Sequence, residues 1–317
     1  MLLSKFIRIF CAGGILAICW ASLAAPLQRA DVAAQPTWVL HIDCDGLRPT
    51  QVGKYLLAEL DKPDAQSQFA TFQTLFSFDP RKQLHGLTLY STSHAPDDGV
   101  MLIYADFNPE RLVTLAKAAN DSLTTNYGPH TIYSWIDDGR TIRNGFKTRM
   151  YAAIQGSRVI LAQRKSRLIS TLDVLDQTQA DLASTKVFPE LGAERDRSFI
   201  EAAARNLDLP GSTPTAALFR LAKMLRLQVS ETNATVTATL KFEANNEDVA
   251  RQTVIGVQGA AAWARLQKGK PGLSKFFELL SLKQDGATVV ATIGVPAADF
   301  VEILKAETEK KPETKAR

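Results

Sequence analysis

The residues best suited to chemistry lie together in His41-Ile-Asp43-Cys-Asp45-Gly46-Leu-Arg48. Two carboxylates two positions apart, at the end of an apolar strand and followed by glycine, could supply a nucleophile and a general acid or base. They could equally hold a divalent cation against a phosphate, with His41 assisting from the strand face it shares with Asp43. The partners such a site needs are hard to find. The chain has four histidines, His41, His85, His94 and His130, and none forms a ligand pair. It has no Gly-rich phosphate loop and no Gly-x-Ser-x-Gly elbow. Asp97-Asp98-Gly99 and Asp137-Asp138-Gly139 lack the oxygen-ligand spacing of a calcium loop and read as hairpin turns. Cys44 has no neighbouring His-Asn pattern and reads as a small buried hydrophobe.

Asp43-Cys-Asp45-Gly46 resembles the first motif of haloacid-dehalogenase-type phosphatases, and Asp45-Gly-Leu-Arg-Pro49 resembles the metal-binding strand end of alkaline-phosphatase-type phosphodiesterases. That resemblance implies a metal-dependent phosphoesterase using His41, Asp43 and Asp45. The first family also requires a later lysine and an acidic pair in a doubly wound sheet. The second requires several His and Asp ligands and a Thr or Ser nucleophile. The competing reading is a half-exposed strand that ends at Asp45-Gly46 and leads into a helix, and it carries more weight. No catalytic, cofactor-binding or metal residue is therefore assigned, and the chain leans away from being an enzyme.

The elements that must position this stretch centre on Leu84–Ala119. Leu84–Ser91 alternates as a strand, and Val100–Ala105 is apolar at nearly every position. Asn108-Pro109-Glu110 supplies a helix N-cap, a first-turn proline and an acid, and Leu112, Leu115, Ala116 and Ala119 give that helix one apolar face. Hairpin-then-helix units recur near 150–176, 225–267 and 282–304. Upstream, Trp38–Asp45 is a strand, Thr50–Leu60 a helix, and Phe69, Phe72, Leu75 and Phe76 mark a short amphipathic helix. Thr131–Ile136 is a strand closed by 137–140, Thr178–Arg197 reads as a long surface loop, and Ala216–Met224 reads as a helix. Phe199–Ala204 fits strand and helix equally.

The fold class is α+β, with antiparallel-rich sheets and helices mainly on one face. The strand-helix-strand-strand-helix-strand order over Trp38–Ile136 predicts two tandem ferredoxin-like halves, 37–145 and 146–304, joined near Thr141–Lys147. A linker at 25–36 precedes them, and a disordered charged tail at 305–317 follows. If helices cover one face, the halves could pack sheet to sheet over Tyr90, Tyr104, Tyr133 and Trp135.

Residues 1–24 read as a signal peptide. Lys5 and Arg8 precede the apolar run Ile9–Trp20, and Ser22 and Ala24 fit the small positions before a cleavage site, so the mature chain is expected to begin at Ala25. Ile18 before Cys19 argues against lipid attachment. Removal of Cys11 and Cys19 leaves Cys44 alone, so no internal disulfide can form. Of the four excess positive charges, two lie in the leader and two in the tail; the neutral body gives no footprint for nucleic acid.

The run Phe78–Tyr90, with Thr131-Ile-Tyr-Ser-Trp135 and Leu172-Asp-Val-Leu-Asp176, resembles an uncharacterised family of exported bacterial proteins. That family has no assigned activity; the resemblance implies a bacterial envelope setting, periplasmic or secreted. The function expected is that of a non-catalytic binding or assembly protein whose partner is a protein or ligand of the envelope. No cofactor, no nucleic acid and no membrane span after cleavage are expected.

Overall fold

β1 (Trp38–Asp43) buries every second residue, as its alternation requires, and sits at the centre of one continuous twelve-stranded sheet. The computed structural model describes residues 25–141, 147–192, 198–206, 220–266 and 277–309. The leader, most of the 141–147 seam, the first four residues of the helix expected at 216–224 and the far tail lie outside them.

The other strands are β2 (Leu84–Ser91), β3 (Val100–Ala105), β4 (Leu123–Tyr127), β5 (His130–Thr141), β6 (Lys147–Gln155), β7 (Arg158–Ala162), β8 (Ser198–Arg205), β9 (Ala222–Thr232), β10 (Thr235–Ala244), β11 (Leu280–Asp285) and β12 (Thr288–Pro296). Their order across the sheet is β11-β12-β10-β9-β8-β1-β2-β3-β7-β6-β5-β4, and every recorded pairing is antiparallel. Among the described residues the α-helices include α1 (Cys44–Leu47), α2 (Gln51–Leu60), α3 (Pro63–Phe76), α4 (Pro80–Gln83), α5 (Pro109–Lys117), α6 (Lys165–Leu175), α7 (Glu247–Leu266) and α8 (Ala297–Glu309).

The α+β class and the antiparallel sheet are as expected; the ferredoxin-like order is not. That order would place the third strand between the first two, whereas here β1 pairs directly with β2 on one side and with β8 on the other. The 141–147 seam falls within the β5–β6 pairing, where Tyr133 faces Ala152 and Asp137 faces Thr148. The centre of the sheet is instead the β1–β8 pair, with Leu40 opposite Ala202. Outward from it, β1-β2-β3, α5 and the hairpin β4–β5 are mirrored by β8-β9-β10, α7 and the hairpin β11–β12. In both arms the first hairpin strand is outermost, and β6–β7 are wedged into the first arm between β3 and β5. The arms join edge to edge, not face to face.

Residues opposite each other in the registers share a face. The face bearing Val39, His41 and Asp43 is covered over the first arm by α6, by 27–33 and by the segment after α6, around Leu102, Ile160, Leu168, Leu172 and Leu182. The other face carries α1–α5 over the first arm and α7 and α8 over the second. Asn108 caps α5 through the Arg111 N–H at 3.0 Å, and Asn246 caps α7 through the Val249 N–H at 2.9 Å. Glu231 at the end of β9 accepts from the Gln51 and Val52 N–H groups at 2.8 and 3.1 Å, fastening the start of α2 to the second arm.

Several segments differ from expectation for identifiable reasons. The 25–36 segment is packed: Leu27 and Val32 are buried, and Asp31 accepts from Tyr104 at 3.0 Å and pairs with Arg158 at 3.1 Å. The stretch after α6 buries Leu182, Phe188 and Leu191 rather than running over the surface. Arg29 ties that stretch in place by donating to the carbonyls of Leu182, Val187, Phe188 and Leu191. Asp97-Asp98-Gly99 is the turn expected, but Asp137 continues β5 through an irregular register to Thr141. Ala222–Met224 begins β9, and Lys305–Glu309 ends α8 instead of opening a disordered tail.

Candidate functional site

His41, Asp43 and Asp45 are all buried, and each is committed to a structural partner. His41 places Nε2 2.9 Å from the Ala25 carbonyl and Nδ1 2.9 Å from Thr88 Oγ1. A carbonyl can only accept, so Nε2 carries the proton and Nδ1 accepts from the Thr88 hydroxyl. Burial lowers the His41 pKa and keeps the ring neutral. Asp43 ends β1 and caps α1, accepting from the Gly46 N–H at 2.8 Å and the Ala25 N–H at 3.0 Å. Its pKa is raised, chiefly by burial, although those two N–H groups and His41 pull it down. Asp45 instead pairs with Arg48, whose guanidinium also donates to the Leu84 carbonyl and, at 3.2 Å, to the Arg81 carbonyl. His85 joins this side, with Nδ1 3.0 Å from Asp45 and Nε2 3.0 Å from Asp106. Cys44 is fully buried and burial pushes its thiol up, away from the reactive thiolate.

The two carboxylates therefore serve different neighbours. Among the described residues, no group of three His, Cys, Asp or Glu is placed to hold a metal ion. Gly46 is required by the same geometry: a Cβ there would lie 2.6 Å from Asp43 Oδ2.

The structure also forms an enclosed apolar space, away from His41, Asp43 and Asp45. Between α3, α5 and the face made by β3, β5, β6 and β7 lies an apolar cavity of about 130 Å³. Phe72 and Phe76 of α3 stack at 4.5 Å above one side, Leu112 and Ala116 of α5 close another, and Tyr133, Trp135 and Leu161 form the floor. The Trp135 indole N–H is buried and has no hydrogen-bond partner among the described residues. At one end, Ala105 and Phe107 are shared with an open polar depression that includes Gln83, Asp106 and Asn108. α5 contributes no buried residue, so this roof rests lightly on the sheet. A cavity of this size matches apolar cavities that admit a benzene-sized group.

The four aromatic residues expected to share a surface are divided. Tyr90 and Tyr104 lie on the His41 face, donating or accepting at Thr171 (2.9 Å) and Asp31 (3.0 Å), while Tyr133 and Trp135 line the cavity on the other face.

The fold and cavity define a class: an α+β protein built on one antiparallel sheet, with helices roofing an apolar space. Among solved structures, the chain is similar to three crystal forms of TP0453. Form III aligns at a TM-score of 0.49 and 8% identity, covering 90% of this chain and 100% of that one. Forms IV and I align at TM-scores of 0.47 and 0.43, with 10% and 8% identity, again over 90% of this chain and 98% and 99% of theirs. This likeness is too remote to carry an inference about activity. No family model and no curated protein matches the chain.

Proposed function

We propose that the chain is an exported, non-catalytic binding protein of the bacterial envelope, and that it takes the hydrocarbon part of a small amphiphilic ligand into the cavity beneath α3 and α5. The observation that carries the reading is the cavity itself, which is lined by aromatic and aliphatic side chains of α3, α5 and four strands. The volume suits one hydrocarbon segment, and a polar end would lie in the neighbouring depression beside Asp106 and Asn108. The leader expected in residues 1–24 supplies the export half of the proposal. The mirrored strand order supports a tandem pair of arms meeting at β1 and β8, the first enlarged by β6–β7.

Native mass spectrometry of protein purified from its host, with titration of a fluorescent fatty-acid analogue, tests the binding reading. One-to-one binding, displaced by unlabelled acyl chains and weakened in Trp135→Ala, is expected. Folded protein that neither carries nor takes up such a molecule would refute it. Cell fractionation tests export separately.

A further inference from the structure

We infer that Asp43 and His41 form an internal receptor for the chain's own processed amino terminus, the α-ammonium group of Ala25. Both ends of the Ala25 unit are held by buried side chains of one strand: its nitrogen by Asp43 Oδ1 at 3.0 Å, its carbonyl by His41 Nε2 at 2.9 Å. Thr88 on β2 fixes the histidine from behind at 2.9 Å. Such provision for a single residue is unusual in a segment that composition marks as a linker. The receiving carboxylate is almost fully enclosed, and its recorded partners are two backbone N–H groups, with Asp45 as a like charge nearby. A buried carboxylate in that position gains most from a cation, and the nitrogen already in contact with it can become one.

The inference rests on the export reading for the position of the cut. Hydrolysis of the Ala24–Ala25 bond consumes one water, leaves a carboxylate on Ala24 and frees an amine on Ala25, which takes up a proton. A neutral N–H donor thereby becomes a charged one without moving, and the hydrogen bond to Asp43 becomes an ion pair. Neutral His41, bonded to the Ala25 carbonyl, aims the residue. Downstream, Leu27 enters the core and Arg29 clamps the segment after α6, so fixing Ala25 tightens the cover over that face of the sheet. Signal removal and final packing are thus linked.

The test compares full-length mature protein beginning at Ala25 with the same chain extended by Gly-Ser, which keeps the N–H donor and removes the charge. Each is made with Asp43 and with Asp43→Asn, an isostere that retains the helix cap. We expect the Ala25-start protein to melt about 3 °C or more above the extended one, and the gap to vanish in the Asn background. Equal midpoints with Asp43 present, or a gap that persists in Asp43→Asn, overturn the inference. Should Asp43→Asn fail to fold, acylation of the Ala25 amine is read in wild type. Modification at least about ten-fold slower in native protein than in urea supports the pairing, and equal rates overturn it. Mass spectrometry of the exported protein separates the two layers. A terminus other than Ala25 defeats the cleavage expectation and this inference together, whereas an Ala25 terminus without the melting gap defeats the inference alone.

Discussion

Filling the cavity should stabilise the protein and block its ligand. An empty apolar space of about 130 Å³, at roughly 24 cal/mol per Å³, corresponds to about 3 kcal/mol of forgone packing. Ala116 on α5 lines it, and leucine at that position adds three carbons to a helix that accepts leucine almost as readily as alanine. At about 0.8 kcal/mol per buried methylene the gross gain is about 2 kcal/mol, and strain from an imperfect fit brings the expected gain for Ala116→Leu to about 1–2 kcal/mol. Urea denaturation measures this directly, and the thermal midpoint should rise by about 3–6 °C. The same variant should bind the fluorescent fatty-acid analogue at least about ten-fold more weakly, about 1.4 kcal/mol. Stability and affinity must move in opposite directions, because one volume serves both. A variant destabilised by more than about 1 kcal/mol that still binds the analogue at full strength would refute the cavity as the binding space.

Arg48→Met should cost about 3–5 kcal/mol in urea denaturation, because it leaves Asp45 buried without its guanidinium and the Leu84 and Arg81 carbonyls without a donor. Arg29→Ala should cost about 3 kcal/mol and open the segment from Leu182 to Leu191 to limited proteolysis, since four carbonyls lose one charged donor. Asp98 is fully enclosed; burial would raise its pKa, but hydrogen bonds from Arg167, Ser93 and Ser91 and the Arg167 charge outweigh it and hold the carboxyl below its usual value. A depressed folded pKa stabilises above the unfolded value of 3.8 and is lost as pH falls through the folded value, so Asp98→Asn should be the weaker protein at pH 6 and the difference should vanish toward pH 2 in acid unfolding curves.

Strands whose alternation meets a buried face were legible from the sequence: Leu84–Ser91 and Trp38–Asp43 are strands because each needs one apolar side. So were local signals such as the Asn108-Pro109 start of α5. β4 was missed because an edge strand reading Leu-Thr-Thr-Asn-Tyr is largely exposed and shows no alternation. The buried segment after α6 was misread for a different reason. Its serines, threonines and charged residues mark a surface loop, and what holds it inside is an arginine about 155 residues away, Arg29. Strand order was out of reach as well. Hairpins declare their own pairing, but the β1–β8 contact and the insertion of β7 beside β3 are long-range choices with no local mark.

The same distinction explains why the sequence pointed to one site and the structure to another. Asp43 and Asp45 share a spacing that active sites use, yet spacing does not say what a carboxylate faces. Asp43 caps a helix and meets Ala25, while Asp45 meets Arg48 and His85, so the pattern that suggests catalysis holds two separate parts of the fold together. The apolar cavity, by contrast, is a mismatch of sizes between distant elements. The phenylalanines of α3 are bulky, Ala116 of α5, Ala119 just after it and Ala152 of β6 are small, and no described side chain fills the difference. Each residue is an ordinary core residue in its own helix or strand. Space for a ligand exists only once α3 and α5 lie on the sheet, which is why it is tested best by changing volume at Ala116 rather than charge at Asp43.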